Sequence, residues 1–278
     1  MNILYKKRLN FKLLLNIIYF KMRKKILFLA VLSSLLSCSS ELKTDELTNQ
    51  SSPQVMVNKN KSVGQMHNDL LHLFKQAEQE GKLVVNVTKN EISDDMVVMI
   101  NEYFYEQGAE SNVFSKMLST IPDVTRNINL LVQSTDDSQL LRKQLKAFYI
   151  DSLPSTVQLY ALTIFDTTVL YEGTASYTSE LEKIATTITS DTSLESEYQQ
   201  QLLYAISIAE YSNTYWHPAH HPLLEGRGLF TYYVGADTAG ALAMIQSGAV
   251  GAATAISGWG GLAVLVGGAA FSSFMASR

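Results

Sequence analysis

Residues 62–81 read SVGQMHNDLLHLFKQAEQEG, and this stretch decides the fold class. Ser62 with Gln65 three positions on has the form of a capping box, in which two helix-start N–H groups are satisfied reciprocally. Met66, Leu70, Leu73, Phe74 and Ala77 then recur at threes and fours, which lays apolar side chains along one helical stripe. Gly81 follows as a residue able to take the left-handed backbone that closes a helix. The sequence therefore predicts a helix with a start, a buried face and a stop.

The same pattern repeats down the chain. Ser93 precedes Asp94 and Asp95, a capping side chain followed by two carboxylates at the positive end of a helix. Val97, Val98, Ile100, Tyr103 and Phe104 follow, and Gly108 ends the run. Pro122 divides a short helix near 110–120 from another near 123–133. Asp136 or Asp137 opens a helix through Leu140, Leu141, Leu145, Phe148 and Tyr149. Pro154-Ser155 opens the next, with Val157, Tyr160, Leu162, Ile164 and Phe165 before Gly173. A polar helix near 177–189 precedes the longest, near 192–216. Residues 83–87 alternate in part but have no evident partner strand, so they read as an extended connector. The expected class is all-α, a multi-helix bundle.

The chain ends differently. From Thr238 to Ser277 there are 40 consecutive residues without a charge, bounded by Asp237 and Arg278 and rich in glycine and alanine. Ser257-Gly258-Trp259-Gly260-Gly261 reads as a turn between apolar segments at 238–256 and 262–276. Small residues recur every four, Ser247, Gly251 and Ala255 in the first and Ala263 and Gly267 in the second, so two helices could approach closely. Over these 40 residues the segment, part of an apolar hairpin placed at 235–278, resembles glycine-zipper hairpins and hydrophobic bacteriocin peptides. That resemblance implies action at a membrane. Two settings would tolerate so many glycines, a membrane-inserted hairpin or a close-packed hairpin inside a soluble bundle.

Composition narrows the function. The chain has 278 residues, 46% of them apolar, and one cysteine. That excludes a disulfide framework and any multi-cysteine metal site. Residues 1–37 hold eight Lys/Arg and no acid, which leaves −12 on the rest. An acidic body repels phosphate backbones, so nucleic acid is not an expected partner. No GxSxG elbow, P-loop or GxGxxG stands in a strand-to-helix setting, so no catalytic residue and no cofactor is expected. Capping accounts for the acid pairs at 94–95 and 136–137. The 14 tyrosines read as core-rim packing rather than a sugar platform.

The histidines form two sets, His67 with His72, and His217, His220 and His221. His67 and His72, five apart, point to different faces of a helix. Pro218 and Pro222 favour a loop around the second set. Metal binding needs three or four converging ligands, and no HExxH is present, so no metal is expected. His67, His217, His220 and His221 are the weak candidates, and the place to look for a polar constellation.

The amino terminus carries an address. Met22-Arg23-Lys24-Lys25 is a short basic flank, and Ile26 to Leu36 an eleven-residue apolar run. That is too short for a span of about 20 residues and has the layout of a signal peptide. Leu35, Ser37 and Cys38 match the lipobox of bacterial lipoproteins, and Leu36 departs from its usual small residue. The resemblance implies cleavage before Cys38 and a diacylglycerol thioether on its sulfur. Ser39 in place of aspartate implies the outer membrane, and Glu41 with Asp45-Glu46 faintly resembles acidic surface-export signals of Bacteroidota-type lipoproteins. The family resemblance is to lipoproteins of that type and implies no particular activity. The expected organisation is a signal peptide over 1–37 with Met22 as initiator, a lipidated tether over 38–62, a helical domain over 63–234 and the apolar hairpin over 235–278. The expected role is that of an envelope lipoprotein that binds or supports, with membrane lipid as one partner through Cys38 and an envelope protein as another. The alternative is a membrane-active, bacteriocin-like or pore-associated protein working through the hairpin.

Overall fold

The computed structural model describes residues 56–58, 61–83, 92–120, 138–217, 220, 229–246 and 259–277. Among these are nine α-helices: α1 (Val63–Gln79), α2 (Asp94–Glu106), α3 (Val113–Thr120), α4 (Ser138–Phe148), α5 (Ser155–Tyr171), α6 (Tyr177–Ser190), α7 (Ser196–Tyr215), α8 (Leu229–Gln246) and α9 (Trp259–Ala276). A 3₁₀ turn, Ile150–Ser152, leads into α5. The all-α class is as the sequence predicts. Residues Ser52–Arg278 form one compact unit. The expected helix near 123–133 and the connector beyond Leu83 lie outside the described residues, as do residues 1–55, with Cys38 and the signal.

The caps predicted at Ser62 and Ser93 are present, and Asp136 and Asp137 lie outside the described residues. The Ser62 N–H donates to Gln65 Oε1 (2.8 Å), and the Gln65 N–H donates back to Ser62 Oγ (3.3 Å). Ser93 Oγ accepts from the Met96 N–H at 3.3 Å. Gly81, Gly108 and Gly173 close their helices at φ +69°, +99° and +67°, where other residues are strained.

Other expectations are corrected. The end of the expected tether carries a small antiparallel ribbon, β1 (Met56–Asn58) with β2 (Lys61–Ser62), pairing Met56 with Ser62 and Asn58 with Lys61. Pairing this short leaves no periodicity to read. The helix expected from 192 starts at Ser196, because Asp191 Oδ1 accepts from the Ser193 N–H (2.9 Å) and hydroxyl (2.6 Å) and so forms a turn. On α1 the core side is Met66, His67, Leu70, Leu71, Phe74 and Ala77, while Leu73 is 37% exposed.

The largest difference is at the carboxy terminus. The first apolar helix starts at Leu229 and ends at Gln246, not at 238 and 256, so the expected border at 234/235 falls inside it. Trp259, Gly260 and Gly261, expected in the turn, form the first turn of α9. Lack of charge marks burial, not helix ends, and the two do not coincide here.

Of the two settings for the hairpin, the structure shows the close-packed one. Every residue of α9 from Gly260 to Ala276 is buried. This helix packs on α8, α1 and α3, and more lightly on α2. Its partner α8 packs in turn on α7, α5 and α4. The α8–α9 pair is thus the centre of the bundle, wrapped by the other helices. The two helices meet closely at Gly240, where a Cβ would stand 2.9 Å from Ser272 Cβ and 3.2 Å from Ala269 Cα. Gly267 instead faces Ile100 of α2 and Phe114 of α3. Ser247, Gly251 and Ala255 lie outside the described residues.

Candidate functional site

The site begins with a glycine. At Gly64, near the start of α1, the backbone meets α7 so closely that a Cβ would stand 2.3 Å from Ser207 O. The Gly64 N–H donates to Ser207 Oγ (3.1 Å), and one turn on Asn68 Nδ2 donates to Tyr211 O (3.0 Å). This seating fixes the rotation of α1 and turns His67 inward.

His67 is fully buried. Its Nδ1 lies 3.0 Å from Asn68 Oδ1, and its Nε2 faces Asp237 Oδ1 at 3.5 Å. Asp237, on α8, is also fully buried. Its Oδ2 accepts from the Ser212 hydroxyl and from Trp216 Nε1 (3.0 Å), both at the end of α7. Three helices thus meet at one carboxylate. His67 Nε2 and Asp237 Oδ1 have only each other, beyond ideal hydrogen-bond length.

An aromatic wall closes the cluster. Trp216 stacks on Tyr233 with centroids 4.3 Å apart and meets Tyr215 edge-on at 5.0 Å. Lys75 Nζ lies 3.8 Å from the Trp216 ring centroid, a cation–π contact. Burial lowers the Lys75 pKa to about 8, against the opposing pull of Asp237 and Glu78. Burial, with the Asp237 charge adding to it, pushes Tyr215 up to about 12. Tyr177, pushed up by burial, donates its hydroxyl to Ala209 O (3.0 Å).

The sequence candidates separate. Only His67 enters the cluster. His72 and His217 are exposed, and the His217 and His220 rings lie 6.4 Å apart. His221 lies outside the described residues. Among the described residues no group of three or more His, Cys, Asp or Glu side chains is placed to hold a metal ion. In the sequence Asp237 marks the edge of the uncharged run. Its signal was available, since it is the only acid or base between Arg227 and Arg278.

Chemically, a carboxylate facing an imidazole is the orienting half of a nucleophilic triad. Here the Ser212 hydroxyl gives its hydrogen to Asp237, not to His67, and His67, Ser212 and Asp237 are all fully buried. The arrangement suits holding a charge inside an apolar core and fixing the register of three helices. A separate groove of about 390 Å³ lies between the end of α1 and the start of α2, floored by Leu73, Ala77, Val98 and Met99 and edged by Glu80, Lys82 and Asp95.

Searches of protein-family models, curated proteins and solved structures give no match to this chain.

Proposed function

We propose that this chain is a bacterial lipoprotein, fastened to the outer membrane through Cys38, whose helical body binds or supports another envelope component. One observation carries the reading. The only cysteine of the chain stands directly after Leu35-Leu36-Ser37, behind a basic flank and an apolar run of signal-peptide length. A single acyl chain holds a protein only marginally, and the diacylglycerol with an acylated amine supplies the further chains stable anchoring needs. The −12 on residues 38–278 keeps nucleic acid out of the partners. The test is metabolic labelling with a fatty acid in a bacterial host. The wild-type chain takes up label and sediments with membranes, and Cys38→Ala does neither. A wild-type chain without lipid, or retained in the cytosol, would overturn the proposal.

A second reading, a membrane-active protein working through α8–α9, is favoured by one observation. By length and composition α9 is able to cross a bilayer, and it is stored at the centre of the bundle. Dye release from lipid vesicles tests it.

A further inference from the structure

We propose that Lys75 is a carbonyl-capturing lysine, whose side-chain amine condenses with an aldehyde carried on a flat aromatic body, and that Trp216 and Tyr215 seat the product. The proposal is independent of the lipid anchor and of the membrane-active reading.

The amine of Lys75 is placed unlike those of its fellow lysines. Lys82, Lys116, Lys146 and Lys183 each lie beside a carboxylate. Among the described residues Lys75 has no carboxylate within ion-pair reach. Its Nζ instead rests 3.8 Å from the Trp216 ring centroid and 5.7 Å from that of Tyr215. Tyr233 stacks on Trp216 at 4.3 Å, which leaves the other face of the indole to the amine. The place is open at its rim. Lys75 and Tyr215 are partly exposed, and His72, Gln76 and His217 beside them are exposed.

Capture of a carbonyl makes two opposed demands on a lysine, and this position meets both. The attacking amine must be neutral, and the product is a cation. Burial in an apolar setting is a recognised way to free a lysine of its proton. It is the larger influence on Lys75 and brings the pKa to about 8, although Asp237 of α8 and Glu78 of α1 pull upward. About a tenth of the amine is then neutral at pH 7, against less than about a thousandth for a lysine in water. Tyr215, the titratable ring facing it from α7, is pushed up to about 12 and stays neutral, and α9 carries no acid or base.

The neutral nitrogen adds its lone pair to the aldehyde carbon, and the C=O π pair moves to oxygen. Both hydrogens of the amine leave with that oxygen as water, and a C=N bond remains. A proton from solvent then makes it an iminium. This ion carries the same charge at the same nitrogen as the ammonium, so the Trp216 face and Asp237 favour it as they favour the ammonium. An aryl group on the new carbon comes within ring-contact reach of Tyr215, where an alkyl group gains less.

The experiment treats the protein, as purified from producing cells, with benzaldehyde and sodium cyanoborohydride at pH 7. Hydride from the borohydride fixes each iminium as a benzylated secondary amine. Peptide mass spectrometry gives the initial rate at each lysine, taken as the ratio of Lys75 to Lys183 in the same molecule. The ratio is expected to be about ten or more at pH 7, and to narrow towards pH 10 as ordinary lysines lose their protons. Propanal gives a smaller ratio, and Tyr215→Leu brings the benzaldehyde ratio down towards it. A ratio of one or below at pH 7, which shielding alone would produce, overturns the proposal. So does a ratio that stays flat with pH, because access rather than a neutral amine then sets the rate. Equal ratios for the two aldehydes, or no change in Tyr215→Leu, overturn the aromatic class of substrate.

Discussion

Gly64→Ala is the sharpest probe of the packing that builds the site. An ideal Cβ at Gly64 stands 2.3 Å from Ser207 O, 2.5 Å from Tyr211 Cδ2 and 2.7 Å from Tyr211 Cβ. The first of these is a backbone carbonyl in mid-helix, which cannot rotate away, so α1 and α7 must separate by roughly an ångström to reach ordinary contact. Overpacking of this kind costs about 1–3 kcal/mol. Separation also stretches the hydrogen bonds Gly64 N–H to Ser207 Oγ and Asn68 Nδ2 to Tyr211 O, each contributing about 1 kcal/mol. Alanine returns about 1 kcal/mol of helix preference over glycine. The net expectation is a loss of about 3 kcal/mol, or roughly 6–12 °C in Tm for a unit of this size.

The control is Gly81→Ala. Gly81 has φ +69° and nothing within 4 Å of its ideal Cβ, so only backbone strain of about 1–2 kcal/mol applies. Urea unfolding followed by circular dichroism ranks the two. A Gly64→Ala protein within about 0.5 kcal/mol of wild type, or less damaged than Gly81→Ala, would refute the close α1–α7 seating.

Three further outcomes follow from the same contacts. Gly240→Ala should cost about 1–2 kcal/mol through its contact with Ser272 Cβ, and adding Ser272→Gly should recover part of that. A double-mutant cycle with coupling below about 0.5 kcal/mol would exclude the contact. Trp216→Phe removes the Nε1 donor from Asp237 and should cost about 1.5–3 kcal/mol, read by chemical denaturation. Glu210 is pushed up to about 7 by burial, with Glu182 adding repulsion, against 4.5 ordinarily. The folded state then binds more protons than the unfolded between those values, so this group's contribution falls as pH rises from about 4.5 to about 7, by about 2 kcal/mol after allowing for partial exposure. Glu210→Gln should flatten that slope, and denaturant midpoints at pH 5 and pH 8 measure it.

Local features were the legible ones. Ser62 with Gln65, Ser93 with Asp94 and Asp95, and the closing glycines Gly81 and Gly108 act within a few residues, so the sequence displays the whole interaction. The buried faces were read less well where a helix is covered on more than one side. Wedged between α7 and α9, α1 buries Leu71 as well as Leu70 and leaves Leu73 at the surface. Within α7 the residues Tyr204, Ala205, Ile206, Ile208 and Ala209 are all buried, which widens the apolar face beyond a single stripe. His67 could be named as a candidate but its partner could not. Asp237 lies 170 positions further on, and only the packing of α1, α7 and α8 brings the two together. What the sequence did display was the isolation of that one acid in an uncharged segment.

That isolation also bears on how the centre of the bundle is specified. Small side chains let α8 and α9 meet closely, but they are interchangeable, and a helix of Ala, Gly and Ser fits a similar groove after sliding by one turn. Apolar burial alone therefore chooses this register weakly. A one-turn slide of about 5.4 Å would carry Asp237 away from Ser212, Trp216 and His67 and leave a carboxylate unpaired in the core. Removing the partners of a buried charge costs about 3–5 kcal/mol, more than any single Gly/Ala contact supplies. The buried acid thus selects the register that small residues leave open.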